Sequence, residues 1–301
     1  MKNKWIRQVV FPLVAAIIWG TAFVFQSEGA EYVGPFTFNT MRCAMATVFL
    51  GLILFGRDVL AKRKPRADAQ PAEPREVKTL LLGGGLCGAV LACASNLQQL
   101  GLGATSPGKA AFITALYVVL VPVAALFFGK RARPIVWIGV ALAVAGLYFL
   151  CITGAMRIET SDFFVFLCAL CFTGHIMIID RFSPRVNGVE LSCVQFAVVT
   201  VISAAGMLLT EAPTWEAISA CLWPLFYVGV FSGGVAYTLQ ILAQKNSNPT
   251  VVSLLLCLES VFAVLAAGVM TSDWPSGREW LGCALMLAAV VLAQLPEGKK
   301  E

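Results

Sequence analysis

The sequence predicts an all-α membrane protein of ten transmembrane helices, arranged as two inverted five-helix repeats around a central cavity. Three observations lead there: ten long apolar stretches, an uneven placement of Lys and Arg between them, and a weak internal duplication.

The apolar stretches run 8–27, 35–56, 79–101, 108–129, 134–153, 162–180, 190–210, 220–242, 249–270 and 280–296. Each can cross about 30 Å of hydrocarbon as a helix. Backbone groups in hydrocarbon are satisfied only in helices or closed barrels, and these runs lack the period-two alternation of barrel strands. Composition agrees: 58% of the 301 residues are hydrophobic, 13% are charged, and the mean hydropathy is +0.81. A soluble domain carries about a quarter of its residues as charges, so lipid must cover most of this surface. The net charge of +5 resides in the joining segments and calls for no nucleic acid.

With the N-terminus inside, 18 Lys and Arg fall on inner segments and 3, namely Lys109, Arg157 and Arg278, fall outside; Arg42 remains within the second span. This positive-inside bias predicts a multi-pass protein of the cytoplasmic (inner) membrane with both termini in the cytoplasm. The basic start "MKNKWIR" resembles a signal peptide, but nine further spans make an uncleaved first helix the better reading. Residues 57–78, "RDVLAKRKPRADAQPAEPREVK", are expected to form a mobile cytoplasmic linker loop. All ten cysteines lie in or at the edge of spans. "CALC" (168–171) has redox spacing but no further ligand cluster, so these are read as small core residues. No cofactor and no metal site are expected.

The duplication is clearest between "ASNLQQLGLGATSP" (94–107) and "AYTLQILAQKNSNP" (236–249), which align without gaps. Ala94, Leu97, Gln98, Leu100 and Pro107 match Ala236, Leu239, Gln240, Leu242 and Pro249. More weakly, "FNTMRCAMATVF" (38–49) lies over "LSCVQFAVVTVI" (191–202), pairing Arg42 with Gln195. Five spans per half is odd, so the second half, 154–301, must be inserted upside down relative to the first, 1–153. Inverted repeats of this kind usually meet around a cavity at the bilayer midplane.

Two motifs are discounted. "GATSPGKA" (103–110) has the G-x-x-x-x-G-K of a P-loop, but a helix precedes it, Ala110 replaces the Mg²⁺-binding hydroxyl, and it lies on the outer side. No ATP is expected to bind; Pro107 and Pro249 instead start helices, and Lys109 snorkels to the interface. "HIMIID" (175–180) has acyltransferase spacing, but five residues along a helix put His175 and Asp180 on different faces. No enzyme is expected.

Polar groups within hydrocarbon are costly and therefore informative. Glu259 sits near the middle of the ninth span; it is protonated and bonded to a neighbouring helix, paired with a cation, or open to the cavity. Arg42 suits either snorkelling to the outer interface or binding an anion. His175, the lone histidine, is either a hydrogen-bonded packing residue or a group that titrates. Trp19 is the one tryptophan at mid-span; its N–H needs a partner, which a cavity or tight packing beside Gly20 would supply. Asn96 and Gln99 share a face of the third span, and Tyr237, Gln240 and Gln244 share one of the eighth. Gln98 and Gln240 are repeat partners, and Thr114 and Tyr117 share a face of the fourth span. Interhelical hydrogen bonding would account for these polar groups equally well. The glycines of "GGGLCG" (83–88) and "GVFSGG" (229–234) are expected to allow close helix contacts.

"IIWGTAF", "AAFITALYVVLVPVAALFFGKR" and "LLLCLESVFAVLAAG" in spans one, four and nine resemble the EamA-type transporters of the drug/metabolite transporter superfamily. The likeness covers nearly the whole chain. It departs at Gly129–Lys130–Arg131, often Gly-Glu-Arg in such families, and at Glu259–Ser260, often Glu-Pro. The resemblance implies a secondary transporter of small metabolites, amino-acid-like solutes foremost, working outward by alternating access. Trp19, Asn96, Gln98, Tyr117, His175, Tyr237, Gln240 and Glu259 are the candidate solute-binding residues. Arg42, His175 and Glu259 are candidates for charge recognition or for coupling to protons or a counter-solute. The alternatives are an exporter of cationic drug-like compounds with Glu259 as counter-ion, and a non-transporting membrane protein.

Overall fold

The computed structural model describes residues 6–63, 76–102, 107–152, 159–272 and 274–295. Within them lie ten helices long and apolar enough to cross a membrane: α1 (Ile6–Ala30), α2 (Pro35–Lys62), α3 (Val77–Gly101), α4 (Ala110–Phe127), α5 (Pro134–Cys151), α6 (Thr160–Phe182), α7 (Gly188–Thr210), α8 (Leu222–Gln244), α9 (Pro249–Met270) and α10 (Gly277–Gln294). Their polarity is inside out. Phe127 and Leu209 are each 85% exposed, while Asn39, Asn96, Gln98, His175, Gln195, Gln240 and Glu259 are buried. Water would reverse that arrangement; a hydrocarbon surround does not.

The helix ends follow local chemistry. The Asn187 side chain accepts from Val189 N and Glu190 N at the start of α7. Asn248 accepts from Thr250 N ahead of Pro249. Ser276 and Glu279 form a capping box on α10, and Glu159 with Asp162 forms one on α6. The helical backbone of α4 begins at Pro107 and that of α9 at Pro249, where the absent N–H costs nothing. Residues 103–106 of "GATSPGKA" and the side chain of Lys109 lie outside the described residues.

One boundary differs from expectation. The helix of α2 continues to Arg63 rather than giving way to a loop at 57, and α3 starts at Val77. "DVLAKR" is rich in good helix formers, so the helix outlasts its apolar stretch. Its Arg57 pairs with Asp58 at 3.1 Å and with Glu190 at 2.9 Å. Residues 64–75 of the expected linker lie outside the described residues.

The packing repeats itself when the halves are exchanged, α1 for α6 through α5 for α10. Helix α3 packs on α6 and α7 as α8 packs on α1 and α2; α4 packs on α6 as α9 packs on α1; α2–α7, α4–α9 and α5–α10 are each their own counterparts. The main contacts therefore run between the halves, which interleave. The equivalence holds at single residues. A Cβ on Gly88 of α3 would sit 2.6 Å from Gln195 O, and one on Gly229 of α8 would sit 2.8 Å from Arg42 O. These glycines make the same close approach, to the two residues that the weaker alignment paired.

Helix α8 carries one insertion. Six positions separate Gly88 from Ala94, but seven separate Gly229 from Ala236. Residues Tyr227–Ala236 are π-helical. A π turn takes an extra residue without rotating the remainder of the helix, which keeps both ends of α8 in register with α3.

Candidate functional site

Where the halves cross, a cavity of about 50 Å³ is lined by α1, α2, α3, α4, α6, α8 and α9. By this measure one water needs about 10–15 Å³, so it holds a few waters or a small solute. Its wall carries the repeat: Gln98 with Gln240, Thr114 with Leu256, and Tyr117 with Glu259. Trp19, Phe23, Gln26, Arg42, Phe172, Ile176, Ser232 and Tyr237 complete it.

Helices α4 and α9 break at equivalent points. Leu116 N reaches back to Ile113 O at 3.2 Å, and Leu258 N to Leu255 O at 3.2 Å. These tight turns end the first half-helices. The second halves begin at Tyr117 and Glu259. Tyr117 donates its hydroxyl to Glu259 Oε1 at 3.3 Å, joining the halves at their common centre. The Glu259 carboxyl thus stands at the junction of the two half-helices of α9.

Trp19 donates Nε1–H to Ser232 O at 3.4 Å, inside the π-helical segment. Its ring meets Tyr237 edge-on with centroids 4.8 Å apart. Trp19 lines the cavity, and its neighbour Gly20 lies against α9, where a Cβ would come within 2.6 Å of Phe262 Cβ and 2.7 Å of Glu259 O.

Arg42 points inward rather than snorkelling. Its Nε donates to Asn39 Oδ1 at 2.7 Å and its Nη1 to Gln26 Oε1 at 3.0 Å. Glu259 lines the same cavity, yet no ion pair joins the two among the described residues. At the position equivalent to Arg42 in the other half stands an amide, Gln195, whose Oε1 lies 3.1 Å from His175 Nε2. The site is thus an approximately twofold cavity with one cation on the α2 side and one carboxyl at the α9 break.

Of the expected solute-binding residues, the structure gathers Trp19, Gln98, Tyr117, Tyr237, Gln240 and Glu259 on this wall, with Arg42. Asn96 and His175 lie off it. Asn96 accepts from Asn39 Nδ2 at 2.8 Å and donates to Ser203 Oγ at 3.0 Å; His175 packs fully buried against Gln195. Gln244 donates to Ile176 O at 2.9 Å. Asp180 binds Lys130, so it and His175 do face different neighbours. Sequence reading missed Gln26, Phe23, Phe172 and Ser232. Gln26 carried a signal, as an amide inside an apolar span; the phenylalanines carried none.

The fold and the cavity define a multi-pass membrane transporter built from two inverted repeats. The EamA-like transporter family matches residues 7–152 and again 160–295, and the chain belongs to that family. It is 27% identical over 287 residues to a protein of Archaeoglobus fulgidus named an uncharacterized transporter, covering 94% of this chain and 84% of the relative. It is 22% identical over 317 residues to an uncharacterized transporter of Synechocystis sp., covering 99% and 93%. A solved structure titled only as the crystal structure of a protein superposes with a TM-score of 0.78 at 19% identity, over 95% of this chain and 96% of the other. That likeness concerns the fold.

Proposed function

We propose that this chain is a secondary transporter that moves small amino-acid-like metabolites outward across the cytoplasmic membrane by alternating access, with both termini in the cytoplasm. The observation that carries the solute class is the cavity: Arg42 and Glu259 offer opposite charges, the amides of Gln26, Gln98 and Gln240 offer hydrogen bonds, and Trp19, Phe23, Tyr117, Phe172 and Tyr237 enclose an apolar body. The family resemblance alone carries the direction. A solute gradient, with proton or counter-solute coupling through Glu259, supplies the energy rather than ATP. His175 packs off the wall and is left out of the coupling. A lone cationic drug fits less well, because Arg42 would repel it and the space is small.

Residues 1–153 and 154–301 are the proposed repeat units. Lys130–Asp180 and Arg57–Glu190 tie them at the end of the bundle where α1 begins. At the other end, Glu211 after α7 accepts from Phe36 N at 2.9 Å and from Thr37 N at 2.8 Å at the start of α2. Alternating access requires these ties to open in turn.

Purified protein in proteoliposomes loaded with each of the twenty proteinogenic amino acids tests the reading. At least one is expected to leave faster than from protein-free liposomes, and Glu259→Gln is expected to slow that flux by an order of magnitude or more. Leakage equal to the protein-free control for every amino acid would overturn the proposal.

A further inference from the structure

Arg42 stands out because its charge is held but not neutralised. A guanidinium has five N–H donors. Two are engaged, and both go to neutral amide oxygens, those of Asn39 and Gln26. The Phe38 ring lies 5.9 Å from its central carbon. No described carboxylate pairs with it; its further side-chain hydrogen-bond neighbour is the Cys43 thiol. A cation in the interior of a membrane protein normally finds an opposite charge or a wet cavity; Arg42 borders the cavity.

Its aim is fixed from behind. Asn39 donates Nδ2 to Ser95 O at 3.2 Å and to Asn96 Oδ1 at 2.8 Å, so its carbonyl must face Arg42. Asn96 donates Nδ2 to Ala92 O at 2.8 Å and to Ser203 Oγ at 3.0 Å. Asn39 and Ser203 are wholly buried. The chain Ser203–Asn96–Asn39 therefore runs from α7 through α3 to α2 and ends on the guanidinium. Gln240 also lines the cavity; it is 3% exposed, and its Oε1 accepts from no described group. With the Glu259 carboxyl on the same lining, it supplies acceptors suited to an ammonium group.

We infer that Arg42 determines specificity for a carboxylate on the solute, and that Asn39, with Asn96 and Ser203 behind it, is a positioning element for it. The solute then lies with its carboxylate toward α1 and α2 and its ammonium toward the α9 break. This rests on the transport reading above and adds which group recognises which end. The other half has no counterpart, because Gln195 occupies the equivalent position and bonds His175.

The test uses full-length protein in nanodiscs. Thermal stabilisation by each of the twenty proteinogenic amino acids finds the ligands; each is then compared with its decarboxylated amine and its deaminated acid. Arg42→Gln is expected to weaken amino-acid binding about 10- to 100-fold, the worth of hydrogen bonds to a charged group, and to keep or tighten binding of the amine, which Arg42 repels. Retained amine binding also reports that the variant is folded. Arg42→Lys, which keeps the charge without the fork, is expected to fall between. In proteoliposomes, Asn39→Ala is expected to raise the flux KM for the amino acid with the maximal rate kept, and in nanodiscs to leave amine affinity unaltered. If Arg42→Gln, Arg42→Lys and Asn39→Ala all keep the wild-type ratio of amino-acid to amine affinity, the inference is overturned while the transport reading stands. If no amino acid stabilises the wild type, the transport reading itself fails and the inference falls with it.

Discussion

Single residues give this cavity its chemistry by breaking its symmetry. Gln98 and Gln240 are equivalent and alike; Arg42 against Gln195 and Glu259 against Tyr117 are equivalent and unlike. Asn96 shows the limit of reading such residues from sequence. Spacing marks it as polar within a span, but its partners, Asn39 and Ser203, come from two other helices. Asn96→Ala should therefore act on stability, leaving Asn39 and Ser203 each short of a partner at a cost of about 1–3 kcal/mol, and only through Asn39 on the solute. Gln98→Ala should act mainly on solute affinity, since Gln98 makes one long side-chain bond, 3.4 Å to Thr114. Thermal unfolding and solute binding measured on both variants check this. The expectation fails if Asn96→Ala unfolds at the wild-type temperature or if Gln98→Ala binds as wild type does.

At the scale of elements, the features that place the site are a π turn, two broken helices and a glycine contact. The ten spans were legible because apolar length sets them, and the repeat was legible because Gln98, Pro107 and their partners survive in both copies. The π-helical stretch was hidden, because an inserted residue shows only once both copies are superposed in space. Deleting Phe231, which is 40% exposed within that stretch, should convert it to α-helix and leave a folded protein. Deleting Leu239 should instead rotate the rest of α8 by about 100° and prevent folding. Monodisperse yield of the two deletions is the check; equal yields would remove the insertion account. Gly20→Ala should cost about 1–3 kcal/mol through overpacking against Phe262 and move α1 away from the half-helix that carries Glu259. A drop in unfolding temperature, together with slower flux, would show it; an unchanged temperature would show that the contact can yield.

For the whole molecule, interleaving is the main consequence of the topology. Because α1 packs on α8 and α9, and α6 on α3 and α4, no cut through the chain separates two bundles that could simply part. Motion that exposes the cavity alternately must slide these crossed groups, opening Lys130–Asp180 and Arg57–Glu190 at one end and the Glu211 cap at the other. Glu211→Ala removes acceptors for two backbone N–H groups and the Thr37 hydroxyl. It should leave the cavity more open on that side, raising labelling of a reporter cysteine at Gln26 by a membrane-impermeant thiol reagent. Labelling no faster than in the unmodified background would argue against a closing role for Glu211. The central claim is that the mixed-charge cavity between the repeats is where the solute binds. A structure determined with a stabilising amino acid bound tests it most directly. The account predicts ligand density between Arg42 and Glu259, its carboxylate within hydrogen-bond distance of the guanidinium. Density elsewhere, or a carboxylate turned toward Glu259, would contradict it.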